Sequence, residues 1–129
     1  MTKRYKTKSI DDWNVRDFHD YMRDKHLELF GCEYVPMRSW QTEQGLLGNL
    51  IGTARKQGTH DKALIKRFID EAFATYKPTP QYPGTNFGFI YTYRRNILQR
   101  LQAEENRKKQ AEKQRQENEA TLDDLAEWL

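Results

Sequence analysis

An arginine-rich and aromatic stretch in the last third of the chain holds the side chains with the clearest chemistry. Its cations are Arg94, Arg95 and Arg100, and Tyr91 lies about one helical turn before the first two. Guanidinium groups neutralise phosphates, and aromatic rings stack on nucleobases. The stretch is therefore typical of a nucleic-acid-binding module.

A core-forming pattern runs through the same stretch. Tyr93, Ile97 and Leu101 are spaced four residues apart, which places them on one face of a predicted helix. Residues at this spacing belong to a core more often than they bind a ligand, so we expect all three to pack inward. The ring of Tyr82, in a preceding proline-rich loop, could be held outward as a stacking residue, but we expect it to pack over the core.

The segment after Leu101 changes composition sharply. Residues 102–119 contain five bases, five acids, four glutamines and no large apolar side chain. Such a segment has a high helix propensity but nothing to bury. It predicts an exposed extension of the fourth helix that frays toward its end, rather than a coiled coil.

The last nine residues form a distinct acidic and apolar pattern. Thr121 and Asp124 are spaced for a capping box, which predicts a separate short helix. Its apolar side chains are Leu122, Leu125, Trp128 and Leu129. Two roles remain open for this segment: it docks on a partner protein, or it folds back onto its own bundle.

Length and composition bound the class of protein. A chain of 129 residues suits one domain, and 36% hydrophobic against 32% charged residues is too polar for a membrane protein. No run approaches the roughly 20 apolar residues of a membrane span, and the basic N-terminus lacks the apolar segment of a secretory signal. The single cysteine, Cys32, indicates a reducing compartment, so we expect a cytoplasmic protein.

Charge is segregated along the chain. The charged residues within 1–9 are all bases. Residues 10–35 have a net charge of −4, and residues 36–101 have a net charge of +6. The last ten residues contain three acids and no base. This distribution permits a basic surface to contact phosphate while an acidic end contacts protein.

The first predicted helix has clear signals at both ends. Asn14 can cap the amide of Asp17, and Asp17 can return a hydrogen bond in a capping box. Trp13 and Phe18 occupy the two positions of a hydrophobic staple, which makes Trp13 a structural residue. Gly31 is a natural C-terminal stop. We therefore expect a helix bounded by these residues.

The second predicted helix is unusual for its glycines. Ser39 is a plausible cap, and we expect the helix to end at Gly58. Gly45, Gly48 and Gly52 each cost about 1 kcal/mol relative to alanine in a helix interior. We explain them by close packing of another backbone against a flat helix face.

The third and fourth predicted helices complete the bundle. Thr59 is expected to cap the third helix, and a proline-rich loop over residues 77–84 ends it. The apolar stripe of the third helix comprises Ile65, Phe68, Ile69, Ala72, Phe73 and Tyr76. The fourth helix is expected to begin near Thr85 or Asn86 and to continue without a break through Leu101.

These elements define a fold class and a set of segments. The expected fold is all-α: a small four-helix bundle whose last helix is extended by a charged tail, followed by a short C-terminal amphipathic helix. The segments are a basic arm at 1–9, the bundle at 10–101, the charged extension at 102–120 and an acidic docking segment at 121–129.

The chain has few of the residue patterns that catalysis requires. His19 and His26 lack a cysteine or a second histidine at ligand spacing. Asp17, Asp20 and Asp24 are expected on the solvated outer face of the first helix. No serine–histidine signature or phosphate loop is apparent, so we expect a non-enzyme without metal or cofactor.

The pattern of Tyr93, Ile97 and Leu101 behind an aromatic entry at residues 86–90 resembles a known family. It is similar to the C-terminal helical domain of the DnaD-like replication proteins of Gram-positive bacteria and their phages. That domain has a tyrosine, an isoleucine and a tryptophan at this spacing. The resemblance covers roughly residues 40–105. Leu101 replaces the tryptophan, and residues 1–35 are too short for the winged-helix domain that usually precedes this module.

The resemblance implies DNA binding and primosome assembly. Carried over to this chain, it implies DNA contacts at Arg94, Arg95 and Arg100, and in the extension at Arg107, Lys108 and Lys109. We therefore expect a phage-encoded, DNA-binding replication accessory factor that recruits a helicase, a helicase loader or another replisome partner. The DNA is either single- or double-stranded, and the C-terminal segment would dock the partner.

Two other functions compete with this expectation. One is a protein-binding adaptor or inhibitor of a host protein, which acts without DNA through its acidic first helix and tail. The other is a regulator that reads double-stranded DNA with a recognition helix. The second is the weakest, because no helix-turn-helix spacing is apparent.

Overall fold

The computed structural model describes residues 4–128, and this part of the chain is mostly helical. It contains five α-helices and one small antiparallel sheet. The helices are α1 (Val15–Phe30), α2 (Trp40–Ile51), α3 (Lys62–Thr75), α4 (Phe87–Tyr93) and α5 (Arg95–Trp128). The strands are β1 (Gly52–Thr53) and β2 (Lys56–Gln57), and single 3-10 turns form at Arg4–Thr7 and Ile10–Asp12.

The predicted boundaries of α1 are confirmed. The Asn14 side chain accepts a hydrogen bond from the Asp17 N–H at 2.9 Å, and the Asp17 carboxylate accepts one from the Asn14 N–H at 3.0 Å. Gly31 ends the helix in the left-handed conformation, with φ of 71°. The rings of Trp13 and Phe18 meet edge to face with centroids 5.1 Å apart, so Trp13 is a core residue.

The expectation that the carboxylates of α1 are solvated is wrong for Asp17, which is buried. The N-terminal turn crosses α1 because Tyr5 is buried in the core, and this brings the Lys8 ammonium to 2.8 Å from the Asp17 carboxylate. Burial alone would raise the pKa of Asp17, but the hydrogen bonds from Lys8 and the Asn14 N–H lower it overall. The Tyr5 hydroxyl donates to Asp24.

The second helix begins at its predicted cap but ends earlier than expected. The Ser39 hydroxyl accepts from the Thr42 N–H at 3.1 Å, which confirms the cap. The helix ends at Ile51, not at Gly58, because Gly52 turns the chain at φ of 91° into the β1–β2 hairpin. The hairpin closes so tightly that a Cβ on Gly58 would lie 2.5 Å from the Gly52 nitrogen.

Close packing explains only some of the glycines of this helix. A Cβ on Gly48 would lie 3.1 Å from the Thr53 side chain, so the hairpin packs back on this turn of the helix. A Cβ on Gly45 would meet no atom within 4 Å. The expected close approach of another helix at Gly45 is therefore wrong.

Helix α3 begins later than predicted. Its N-cap is Asp61, and Thr59 instead belongs to the exit of the hairpin, where the N–H groups of Thr59 and His60 donate to the Leu50 carbonyl at 3.0 and 2.9 Å. The expected apolar stripe of α3 is confirmed in its buried members: Ile65, Phe68, Ile69, Ala72 and Phe73.

The expected single fourth helix is two helices that meet at Arg94. Arg94 has φ of −120° and ψ of 25°, outside helical geometry, and it separates α4 from α5. Ile97 and Leu101 are buried as expected, but the Tyr93 side chain is 68% exposed. Because the break lies between Tyr93 and Ile97, these residues do not continue one buried face.

Helix α5 packs on the bundle only through its first turns, where Ile97, Leu98 and Leu101 are buried. From Asn106 onward the described part of the helix is exposed, as expected for the charged extension, but it continues unbroken to Trp128 instead of ending in a separate short helix. Thr121 forms no cap there, because its hydroxyl donates to the Glu117 carbonyl one turn earlier, at 2.9 Å.

Candidate nucleic-acid interface

The amino end of α4 is held by three hydrogen bonds. The first N–H groups of a helix have no partner within the helix and must find one elsewhere. The Phe87 N–H donates to the Tyr34 hydroxyl at 2.7 Å, the Gly88 N–H to Glu43 Oε2 at 3.1 Å, and the Phe89 N–H to the Asn86 side chain at 2.8 Å. These bonds fix the direction in which α4 presents its outer face.

Glu43 is the centre of this arrangement and is fully buried. Its carboxylate also accepts hydrogen bonds from the Tyr34 hydroxyl and from the Met37 N–H at 2.8 Å, and His19 Nε2 lies 3.3 Å away. Burial alone would raise the pKa of Glu43, but these hydrogen bonds together with that of Gly88 lower it overall. Burial, with the adjacent Glu43 charge, raises the pKa of Tyr34.

The proline-rich loop between α3 and α4 is anchored on His26. The Thr85 N–H donates to His26 Nε2 at 3.2 Å, so the other ring nitrogen, Nδ1, donates to the Cys32 carbonyl at 2.9 Å. Only glycine fits beside this ring, since a Cβ on Gly84 would lie 2.2 Å from Nε2. His26 therefore fixes the end of the loop against the core.

The anchored loop and α4 enclose an aromatic cavity of about 460 Å³. Its lining residues are Tyr76, Thr79, Tyr82, Gly84, Thr85, Asn86 and Phe89. The Tyr76 and Phe89 rings meet edge to face at 6.3 Å, and Tyr93 continues the row 4.9 Å from Phe89. We call Tyr76, Tyr82, Phe89 and Tyr93 the aromatic row.

The sequence did not identify the aromatic row, although it contains the residues. Tyr82 was expected over the core, but its side chain is 62% exposed because the loop turns it outward. Tyr93 was expected in the core and lies outside it. The available signal was the aromatic content of residues 76–93, which is too high for one buried helix face.

Arg94 and Arg95 lie at the corner between α4 and α5. The Arg94 guanidinium donates to the Thr75 hydroxyl at 3.0 Å. The Arg95 guanidinium lies 4.2 Å from the centre of the Tyr91 ring and donates to the Tyr91 carbonyl at 3.2 Å. Within residues 4–128, neither arginine forms an ion pair with an acid.

Tyr91 lies on another side of α4 from the aromatic row. Its half-buried ring stacks on Phe87 at 6.0 Å, in addition to its contact with Arg95. Beside it runs a polar groove of about 390 Å³, lined by His60, Tyr91, Arg95, Leu98, Gln99, Gln102, Ala103 and Asn106. The Tyr91 ring is thus a support for Arg95 more than an open stacking surface.

The structure gives the third arginine, Arg100, a different environment. Arg100 pairs with Glu71 across the α3–α5 contact and with Glu104 at 3.1 Å on its own helix. Two carboxylates therefore neutralise this guanidinium, and a phosphate would have to displace them. Arg100 differs in this respect from Arg94 and Arg95.

The basic residues of the extension are exposed on α5. The Lys109 ammonium lies 3.4 Å from the Asp61 carboxylate. Among the described residues, this is the ion pair between α5 and the bundle that lies farthest along α5. Arg107 and Lys108 form no ion pair or hydrogen bond with another described side chain. The α-helix rises 1.5 Å per residue, so Lys108 lies roughly 20 Å along the helix from Arg95.

The apolar residues at the end of α5 are uncovered. Leu122 and Leu125 are more than half exposed, and the Trp128 side chain is 88% exposed. These side chains are at positions i, i+3 and i+6, so they form one stripe along the helix. Leu129 lies outside the described residues. In the part of the chain that is described, this stripe is not folded back on the bundle.

The described residues provide neither a helix that could span a membrane nor a group that could bind a metal ion. Between Arg4 and Trp128, no helix is long and apolar enough to span a membrane. The same residues include no group of three His, Cys, Asp or Glu side chains placed to hold a metal ion. Comparison with models of protein families, with curated proteins and with solved structures gave no match.

Proposed function

We propose that this protein is a DNA-binding replication accessory factor that recruits a helicase, a helicase loader or another replisome partner to DNA. It acts as a binding protein and not as an enzyme, and it is encoded by a phage. The observation that supports DNA binding best is the pair Arg94 and Arg95, which form no ion pair with an acid within residues 4–128 and stand beside exposed aromatic rings.

The charge around this corner favours phosphate. Residues 75–95 include Lys77, Arg94 and Arg95 and no acid. A guanidinium without a carboxylate partner gains more from a phosphate than one that must first break an ion pair. Arg107, Lys108 and Lys109 extend the basic surface along α5, and the resemblance of residues 40–105 to DnaD-like proteins supports the same assignment.

Partner recruitment is assigned to the C-terminal stripe. Leu122, Leu125 and Trp128 are apolar, exposed and flanked by the acids Asp123, Asp124 and Glu127. An amphipathic helix of this kind binds in an apolar groove, and its acids favour a groove with a basic rim. Leu129 completes this stripe in the sequence.

The test of DNA binding compares three arginines of one chain. The double variant Arg94→Gln/Arg95→Gln should bind labelled DNA about tenfold more weakly, and the slope of log affinity against log salt should decrease by about 1.5. Arg100→Gln is the matched control, with a smaller expected loss because its charge is already paired. Fluorescence anisotropy at low and physiological salt measures both quantities, and circular dichroism checks folding.

The outcomes separate the site from the function. Equal losses in the double variant and in Arg100→Gln would reject the corner as the site. No binding of either single- or double-stranded DNA at low salt would reject DNA binding itself, because electrostatic attraction is strongest there.

One observation favours the alternative, a protein-binding adaptor or inhibitor that acts without DNA. The C-terminal stripe is exposed and contains none of the residues assigned to DNA contact, so a host protein can reach it directly. The acids of α1 give this alternative less support, because Asp17 is paired with Lys8 and Asp24 accepts from Tyr5. The adaptor function would be established if the chain binds no DNA but captures a replication protein, and if Trp128→Ala abolishes this capture.

A further inference from the structure

We propose that the cavity between Tyr76, Tyr82 and Phe89 stacks an unpaired nucleobase, so that the preferred ligand is single-stranded DNA. This inference rests on the proposed DNA-binding function and names its substrate class. It assigns base contact to the aromatic row on α4 and its loop, apart from the phosphate contacts of Arg94 and Arg95.

The geometry of the aromatic row suits a base. Tyr82 is exposed on the loop side of the cavity, and Phe89 is exposed on the helix side. A flat ring that enters the cavity can stack on one of these exposed rings, and a cavity of about 460 Å³ is large enough for one base. Tyr93, next to Phe89, offers a further ring to the neighbouring nucleotide.

The wall of the cavity also contains unused hydrogen-bonding capacity. Thr85 also lines the cavity, but its hydroxyl is fully buried and is not available to a bound base. Asn86, beside it, uses its side-chain oxygen on the Phe89 N–H and retains its amide donors for a base edge.

Charge distinguishes a nucleic acid from a peptide as the occupant. Aromatic grooves also bind proline-rich peptides, which need no cations. Here Lys77 precedes the row in the sequence and Arg94 follows it, with no acid between them. The acid Glu33 lines a neighbouring pocket with Tyr82 and Asn86, so the two cations outnumber the acid there. A strand whose base occupies the cavity would place phosphates near these two cations.

The geometry also selects single strands over duplex. In a duplex the faces of the bases are covered by their neighbours, so stacking on a protein ring requires an unpaired base. The four rings of the row lie within one loop and one helix, which is a short site for a few nucleotides. Duplex DNA would use only the phosphate contacts.

The test separates stacking from phosphate binding. The full chain is titrated at physiological salt with labelled oligothymidine of about 12 nucleotides, with an abasic strand of equal length, and with a duplex. The unmodified chain should bind the thymidine strand more tightly than the abasic strand. Tyr82→Ala and Phe89→Ala should each lower thymidine affinity about tenfold and leave abasic affinity unchanged.

Two control variants match these substitutions. Leu29 on α1 is 48% exposed, so Leu29→Ala removes an exposed apolar side chain elsewhere and should leave thymidine affinity unchanged. Tyr82→Phe retains the ring and should bind as the unmodified chain does. Because Tyr82 is on an exposed loop, its substitution should not disturb the folding of the core.

Each result has one meaning. Thymidine binding that is equal to abasic binding, or that survives both alanine variants, overturns the base site but leaves DNA binding intact. Preference for duplex also overturns it. Absence of binding to all three ligands, at low salt as well as at physiological salt, rejects the proposed function instead. Binding of a proline-rich peptide that is lost in Tyr82→Ala, with no thymidine preference, would assign the cavity to a peptide.

Discussion

The Glu43 carboxylate on α2 accepts a hydrogen bond from the Gly88 N–H at the amino end of α4, at 3.1 Å. The same carboxylate accepts from the Tyr34 hydroxyl, which in turn accepts from the Phe87 N–H. A negative charge at the amino end of a helix is favourable, because the peptide dipoles point their positive end there. The orientation of Phe89 and Tyr93 on α4 therefore depends on this buried charge together with the Asn86 cap.

Removal of this charge should destabilise the protein. Glu43→Gln places an amide N–H₂ among backbone and hydroxyl donors, so at least one buried hydrogen bond is lost. We expect the free energy of unfolding to decrease by about 3 kcal/mol, as measured by urea denaturation. Glu33→Gln, on an exposed residue, is the control and should change stability by less than about 0.5 kcal/mol. Equal stability of the two variants would show that Glu43 does not hold α4.

Stability should decrease in acid. The pKa values of Glu43 and Asp17 are lowered in the folded chain, from ordinary values of 4.5 and 3.8. Each carboxylate therefore contributes stability that is fully present above its ordinary value and is lost as pH decreases through its lowered one. Urea denaturation between neutral and acidic pH measures this loss. The Glu43→Gln variant should lose less stability over the same range, and an unchanged slope would contradict the assignment.

Two glycine substitutions should have opposite effects on stability. Gly45 lies inside α2, and a Cβ there meets nothing within 4 Å, so Gly45→Ala should stabilise the protein by about 1 kcal/mol. Gly84→Ala should destabilise it by about 2 kcal/mol, because the new methyl group would overlap the His26 ring. Thermal melts of both variants measure the difference. Stabilisation by Gly84→Ala would show that the loop is not anchored on His26.

Local signals in the sequence were enough to predict much of the helical architecture. The capping box of Asn14 and Asp17, the stop at Gly31 and the cap at Ser39 depend only on near neighbours in the chain. The same is true of the buried stripe of α3, because a helical period places its apolar residues together. These features need no knowledge of what the helix packs against.

Other features depend on contacts between distant parts of the chain. The break at Arg94 left no local signal such as proline or glycine, so the sequence suggested one continuous fourth helix. The sequence does not mark Glu43 as a buried residue. Its carboxylate can be buried because Tyr34, Met37 and Gly88, from other parts of the chain, donate hydrogen bonds to it. The neutralisation of Arg100 depends on Glu71, on another helix.

The sequence by itself determined the helical class, the caps at Asn14 and Ser39, the stop at Gly31, the apolar stripe of α3 and the basic character of the stretch around Arg94. The tertiary structure decided which cations remain without acid partners and which aromatic rings face outward. The reason is that periodicity and capping act over one or two helical turns, whereas ion pairing and exposure are set by residues far apart in sequence. Tyr82 and Tyr93 show the difference, because only the anchored loop and the break at Arg94 turn their rings to the surface.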